Sequence, residues 1–202
     1  GGVLEYILHI AVPWHSITLY WSWLSPWHFY FIISSTQTCI FTEKETKIKE
    51  GAFKGFQFIK EIRIPNQVTE IKPSAFEGCT NLQKLTFENG GSKSEESQIK
   101  TIGKRAFYDS GLSGTLSIPK SGKTIDESAF EGCTRLTTLI LEHDIESSSL
   151  VGASALNTIG DRAFYGTGLT AVSLPIGLEI LGASSFESCN SFQKLSFDLI
   201  IN

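Results

Sequence analysis

The residues of this chain that could perform chemistry are few, and none belongs to a complete catalytic or ligand-binding set. Ser121-Gly122-Lys123-Thr124 resembles the end of a phosphate-binding P-loop. That motif needs a second glycine five residues before Gly122, and this position holds Ser117. It also needs a helix to follow, and no helical pattern does. We therefore interpret this tetrapeptide as a turn.

The histidines and paired carboxylates are also incomplete as reactive groups. His143-Asp144 lies in a predicted loop with no nucleophile partner, and Asp126-Glu127 are sequence neighbours whose side chains usually point apart. His9, His15 and His28 fall in an aromatic segment, where contact with lipid, core or solvent is favoured over metal binding. No zinc-ligand spacing occurs. We expect no catalytic residue, no metal and no cofactor, and we predict that the protein is not an enzyme.

The charge of the chain excludes one class of partner. The formal net charge is −4, with a pI near 5.6, and the 17 basic and 21 acidic residues are interspersed. Nucleic-acid binding needs clustered Lys and Arg that neutralise phosphates. We therefore expect no nucleic-acid partner.

An internal repeat dominates the sequence after residue 47. Its signature is Ile-x-x-x-Ala-Phe, and its copies begin at Ile48, Ile71, Ile102, Ile125, Ile159 and Leu181. The basic unit is about 23 residues, and two units are longer. Self-similarity at this period indicates a solenoid.

Each unit predicts a short strand followed by a turn. An apolar anchor follows each Phe, and alternating runs such as Leu136-x-x-Leu139-x-Leu141 come next. One unit cannot bury these positions alone, but stacked coils can align them into continuous interior columns. We predict a β-rich solenoid of about six coils with little helix.

The motif A-F-x-x-C-x-x-L-x-x-L-x-I-P resembles the BspA-like leucine-rich repeats. It occurs in Ala75-Phe76-Glu-Gly-Cys79-Thr-Asn-Leu82 and in Ala129-Phe130-Glu-Gly-Cys133-Thr-Arg-Leu136. The resemblance covers roughly residues 48–198 and implies a leucine-rich repeat solenoid. It also implies display at the cell surface or secretion, and attachment to host or neighbouring-cell proteins.

Successive units differ in an alternating way. The third position after each Phe holds Cys79, Ser110, Cys133, Thr167 and Cys189 in turn. Cysteines two coils apart would be about 10 Å apart, too far for a disulfide, so we expect buried thiols. Two polar insertions, within residues 88–97 and 142–154, leave the same predicted corner. They could bind partners or be tolerated surface loops.

The first 42 residues differ in composition from the remainder. Residues 6–42 contain no Asp, Glu, Lys or Arg, and they hold all four tryptophans. Three interpretations stay open: a membrane segment, an aromatic cap on the first coil, and an unordered extension. Pro13 and Pro26 weaken a membrane helix, and the alternation from Ile17 to Trp23 favours a strand. We divide the chain into 1–42 and a solenoid, 43–202, that we expect to be incomplete at its C-terminus.

The outward-facing positions of the strand row form the candidate partner-binding surface. Their Ser/Thr-rich character predicts weak individual contacts, so binding through many repeats or copies is favoured. Tyr108 and Tyr165, in equivalent places two coils apart, are further candidates as anchors, although partial core packing would explain them equally well. The strand-row candidates are Arg63, Lys84, Thr86, Thr115, Ser117, Thr138, Ile140, Ser173, Lys194 and Ser196.

These observations support two functional hypotheses. The first is a non-enzymatic protein-interaction or adhesion module, with membrane contact or anchoring through residues 6–42 as an added alternative. The second is a structural role in which solenoid ends stack on each other, because the sequence ends in a strand-like run, Leu195-Ser-Phe197-Asp-Leu-Ile-Ile-Asn, without a polar cap.

Overall fold

The computed structural model describes residues 17–21, 29–33, 37–41, 46–89, 96–142 and 155–197. These residues form a β-solenoid with two rows of parallel strands and no helix. The predicted fold class is therefore confirmed. The described ranges contain no helix that could cross a bilayer.

Three strands precede the first repeat: β1 (Ile17–Trp21), β2 (Phe29–Ile33) and β3 (Thr38–Phe41). β1 pairs with β2 and β2 pairs with β3, both antiparallel, and β3 then pairs in parallel with Glu61–Ile64, the first strand of the first solenoid row. Phe41 is buried and its ring meets that of Phe53 edge-on at 5.7 Å. Apart from Gln37, the remaining residues of the 1–42 segment lie outside the described ranges.

The first solenoid row holds one strand from each coil. The strands are β5 (Glu61–Ile64), β7 (Lys84–Phe87), β9 (Ser113–Ile118), β11 (Arg135–Leu141), β13 (Ala171–Leu174) and β15 (Lys194–Phe197). Parallel ladders join β5 to β7, β9 to β11 and β13 to β15, whereas the ladder is interrupted after β7 and after β11. Single backbone bonds cross the interruptions, such as Ser113 N to Gln83 O at 3.1 Å. The two-coil alternation of the sequence thus also occurs in the hydrogen bonding.

The second row consists of two-residue strands joined into one uninterrupted parallel sheet. Each contributes the Ile or Leu of the repeat signature, and every such side chain before the last coil is buried. The strands are β4 (Lys47–Ile48), β6 (Glu70–Ile71), β8 (Thr101–Ile102), β10 (Thr124–Ile125), β12 (Thr158–Ile159) and β14 (Ile180–Leu181).

The signature phenylalanines form one continuous column between the rows. Six rings stack nearly parallel, with successive centroids 5.0–5.4 Å apart. Phe76, Phe107, Phe130 and Phe164 are fully buried. This confirms the interior columns that the repeat predicted, because only coils in register bring like residues into contact. The rings belong to Phe53, Phe76, Phe107, Phe130, Phe164 and Phe186.

The alternating Cys/Ser/Thr column is buried and hydrogen-bonded. The thiols of Cys79 and Cys133 donate to the carbonyls of Phe53 and Phe107 in the preceding coils, at 3.0 and 3.2 Å. The Ser110 hydroxyl lies 3.2 Å from the Cys133 sulfur. Burial raises the pKa of Cys133 to about 12, which keeps the thiol protonated as a donor. The cysteines are free and buried, as expected. The thiols of Cys79 and Cys133 add a second hydrogen bond to carbonyls that also accept a backbone amide.

Two left-handed backbone positions turn each coil around its phenylalanine. The first lies two residues before the Phe and includes Ser74, Arg105 and Arg162, with φ of 54–55°. The second lies two residues after it and is usually glycine, as in Gly78 and Gly132. Left-handed backbone costs a non-glycine residue about 1 kcal/mol, so stacking must offset this strain in each coil.

Candidate interaction surface

The outward side chains of the first row form two parallel columns, which we call the strip. One column includes Lys84, Thr115 and Thr138, and the other includes Arg63, Ser117 and Ile140. Between the columns lie the buried residues of the row, such as Leu116 and Leu139. The full strip is Glu61, Lys84, Thr115, Thr138, Ala171 and Lys194, with Arg63, Thr86, Ser117, Ile140, Ser173 and Ser196 beside them.

The ten strand-row candidates from the sequence all lie on the strip. Seven are exposed, and Thr86, Ser117 and Ser196 are half-buried. The structure thus brings them together on one face. That this face binds a partner stays a prediction. Most side chains at the centre of the strip are short, so this part of the surface is flat. Ile140 is the one large apolar side chain among these central residues, and 47% of it is exposed.

A β-bulge modifies the strip at β11. Leu136 pairs with Gly114 and Thr138 pairs with Thr115, which leaves Thr137 as the extra residue. Thr137 and Thr138 are consequently both exposed. The Thr137 hydroxyl donates to Gly114 O at 3.2 Å, so the bulge is held by its own side chain.

The charged end of the strip is already internally paired. Glu61 accepts from Arg63 Nε at 3.2 Å and lies 3.4 Å from Lys84 Nζ. All three side chains reach solvent, so these pairs contribute little to stability. They place the cations of the first two coils beside Glu61, so this end of the strip carries both signs of charge.

Tyr108 and Tyr165 lie on another edge, each beneath an arginine. The guanidinium carbon of Arg105 is 3.7 Å from the Tyr108 ring centroid, and that of Arg162 is 3.6 Å from the Tyr165 centroid. Both tyrosines are half-buried. One ring face of each is therefore covered by a cation–π contact within its own coil. Their role as partner anchors stays a prediction.

Each of these arginines also reaches back to a glutamate of the preceding coil. Arg105 donates to Glu77 Oε1 at 2.8 Å, and Arg162 holds both Glu131 oxygens, at 2.6 and 3.0 Å. The Arg105 guanidinium lowers the pKa of Glu77 to about 2, even though burial opposes this. The pKa of Glu131 is likewise lowered, chiefly by Arg162. These ion pairs join coils.

The sequence alone did not identify these Arg–Glu pairs. Their partners are 28 and 31 residues apart. A signal for them existed in the alternation of Glu and Tyr directly after the Phe of successive coils, and in the sequence Arg-Ala-Phe-Tyr of both Tyr-containing coils.

The residues first considered for chemistry have structural roles where they are described. The Ser121 hydroxyl donates to Ile99 O, and Gly122 N donates to Pro119 O, so this segment is a closed turn. Asp126 accepts from the Glu127 amide, and Glu127 pairs with Lys104 Nζ at 2.7 Å. All four histidines lie outside the described residues. Among the described side chains, no three His, Cys, Asp or Glu residues are grouped as metal ligands would be.

A cleft lies beside the strip, at the corner where both insertions leave the solenoid. Its volume is about 350 Å³. The insertion residues 90–95 and 143–154 are themselves outside the described ranges, but the residues that flank them line the cleft. Its lining is Asn89, Glu96, Ser97, Pro119, Lys120, Ile140, Leu141 and Glu142.

Comparison with known proteins supports the fold. The BspA type leucine rich repeat region matches residues 46–150 and 144–201, in six copies. No curated protein matches the sequence significantly.

Two solved structures are similar to this chain. One is a leucine rich cell surface protein from Faecalibacterium prausnitzii, with 20% identity and a TM-score of 0.51 over 91% of this chain. Another is the pneumococcal vaccine antigen PcpA, with 26% identity and a TM-score of 0.58 over 75% of this chain. The chain spans 55% of the first protein's length and 34% of the second's.

Proposed function

Because this chain belongs to the BspA-type leucine-rich repeat family, we propose that it is an adhesion module of the cell surface whose partner-binding face is the strip. The family and the solved relatives support a protein-interaction repeat module at this coarser level. We propose further that this module acts in adhesion and that its partner lies on a host or neighbouring cell. A non-enzymatic role is part of it, because repeat proteins of this kind offer a surface rather than a reaction centre.

The observation that carries the proposal is the register of the strip. Within each two-coil ladder its side chains recur at one coil spacing, so a partner can repeat the same contact from one coil to the next. Thr115 and Ser117 lie directly beside Thr138 and Ile140. Such linked weak contacts reach useful affinity through effective concentration, without a single strong contact.

The test uses the full chain and one matched pair of substitutions. Extracellular-matrix and cell-surface proteins are immobilised and probed for saturable binding by interferometry. Thr138→Arg places a large charged side chain on the strip, and Thr124→Arg makes the same change on the second row. We expect the first to weaken binding at least tenfold and the second to leave it unchanged. Equal effects, or no saturable binding to any protein, would refute the proposal.

A second candidate function, assembly through a solenoid end, is supported by the last described coil. Leu181 and Phe197 are 45% and 58% exposed, whereas their counterparts one coil earlier, Ile159 and Leu174, are buried, since no further described coil covers them. Ile180, next to Leu181, is 54% exposed. At the opposite end β3 pairs with β5 and covers the first row, so we propose that two copies meet through their last coils as a dimer.

Sedimentation velocity distinguishes this candidate. A dimer at micromolar concentration that becomes monomeric in Ile180→Glu would support assembly. A monomer at every concentration would reject it and leave the adhesion proposal intact.

The N-terminal strands support the cap among the three interpretations of residues 1–42. We propose it because β3 extends the first row and buries Cys39 and Phe41 against the first coil. Membrane contact through residues 6–42 stays a prediction.

A further inference from the structure

The cleft between the insertions is built from three separate parts of the chain. Asn89 and Glu96 come from the two ends of the first insertion, Pro119 and Lys120 from the middle coil, and Glu142 from the start of the second insertion. Its volume of about 350 Å³ is at the lower end of the range for ligand sites, about 300–1,000 Å³. The space suits one side chain or a small molecule rather than an extended ligand.

Polar contacts between these parts hold the walls in place. Lys120 Nζ pairs with Glu96 Oε2 at 2.9 Å, and the amide of Ser97 donates to Asn89 Oδ1 at 2.9 Å. The second bond closes the base of the first insertion, because it joins residues on either side of positions 90–95. The cleft therefore has a defined wall from described residues alone.

The chemistry of the lining is both acidic and apolar. Glu96 is neutralised by Lys120, which leaves the charge of Glu142 without a described cation beside it. Glu142 Oε1 accepts from the Ser117 hydroxyl at 2.5 Å, a contact that orients the carboxylate. Ile140 and Pro119 add apolar surface next to it. An arginine side chain matches this pairing, because its alkyl stem is apolar and its planar head binds carboxylates.

The described lining of the cleft carries more negative than positive charge. Its carboxylates are Glu96 and Glu142, and its one cation is Lys120. Excess charge of one sign near a cleft raises the local concentration of oppositely charged groups.

We propose that this cleft binds an arginine side chain of a protein segment that lies across the strip. Ile140 belongs to both the strip and the cleft lining, and Ser117 of the strip bonds to Glu142 of the lining, so a segment on the strip can deliver a side chain directly. The inference rests on the proposed function, in that it names a residue type of the partner. Within it, Glu142 binds the guanidinium, while Ile140 and Pro119 contact the stem.

The test is an NMR titration of the full chain with N-acetyl-arginine amide. The matched neutral probe is N-acetyl-citrulline amide, which has the same shape without the charge. We expect saturable amide shifts at Lys120, Ile140 and Glu142 with the arginine probe, and at least fivefold weaker binding of citrulline. Glu142→Gln should weaken the arginine probe at least fivefold. Glu127→Gln, in the turn that follows β10 and away from the cleft lining, is the control and should change nothing.

Three results would overturn the inference: equal binding of both probes, shifts confined to other parts of the molecule, or no effect of Glu142→Gln. The spectrum of each variant reports whether it is folded. The titration needs no protein partner, so its failure is distinct from failure of the proposed function. If Thr138→Arg blocks a protein partner while the arginine probe does not bind, only the cleft assignment is wrong.

Discussion

Replacement of Phe130 by alanine tests whether the phenylalanine column holds the solenoid together. Phe130 is fully buried, and its ring stacks on Phe107 at 5.2 Å and on Phe164 at 5.3 Å. Truncation of a buried phenylalanine costs about 3–5 kcal/mol, because transfer energy is lost and a cavity remains. Of this, each lost ring contact accounts for about 0.5–1.5 kcal/mol. The total is a large fraction of the about 5–15 kcal/mol that stabilises a typical domain.

The assay is urea unfolding followed by circular dichroism, with Phe58→Ala as the matched control. Phe58 is 59% exposed and lies outside the column, so its truncation should cost less than about 1 kcal/mol. Hydrogen exchange would add a spatial test, since coils contact only their neighbours and amides in the flanking coils should lose most protection. A loss below about 1.5 kcal/mol for Phe130→Ala, or equal losses at both sites, would refute the stacked-column argument.

Three further predictions concern charge, backbone and thiols. The pKa of Glu77 in the folded protein, about 2, is below its usual value near 4.3. The stability that the charged Glu77 contributes is therefore complete above about pH 5 and is lost as pH falls toward 2. Glu77→Gln should remove about 1–3 kcal/mol of this pH dependence, measured by urea midpoints from pH 2 to 7. Gly111→Ala should cost more than about 2 kcal/mol in the same unfolding assay, because the added Cβ would lie 2.0 Å from Thr80 O; an unchanged midpoint would show that the coils can separate. Cys133 should resist iodoacetamide at pH 8 until the protein unfolds, since burial raises its pKa to about 12; rapid labelling of the native protein, seen by mass spectrometry, would contradict its burial.

The core of this protein could be predicted because each core position of the repeat occurs in several copies along the sequence. Phe76, Phe107, Phe130 and Phe164 occupy one sequence position in four copies, and a position that is apolar in every copy must face the interior of a stack. The strands followed from the same reasoning, because alternation fixes which side chains face outward once the core side is known. The strip was found for that reason.

The contacts between coils could not be predicted from the pattern. Ser74 and Arg105 adopt left-handed backbone that their residue types do not signal, whereas glycine does at Gly51 in the same column. Arg105 is paired with Glu77 from the coil before and covers Tyr108 from its own coil. Sequence spacing places these residues on one edge of the solenoid, but it does not determine which neighbouring residue each side chain contacts.

The sequence by itself determined that this chain folds as stacked coils, which columns are interior and which face carries polar side chains. These properties depend on one-dimensional periodicity and on the hydrophobic effect, which acts on every copy alike. Only the tertiary structure decided where the irregular parts meet. The cleft joins Asn89, Lys120 and Glu142 from three coils, and the β-bulge at Thr137 shifts the strip beside it. Such features depend on how coils of different sequence align with each other. The repeat pattern contains no information about the positions at which one coil departs from it.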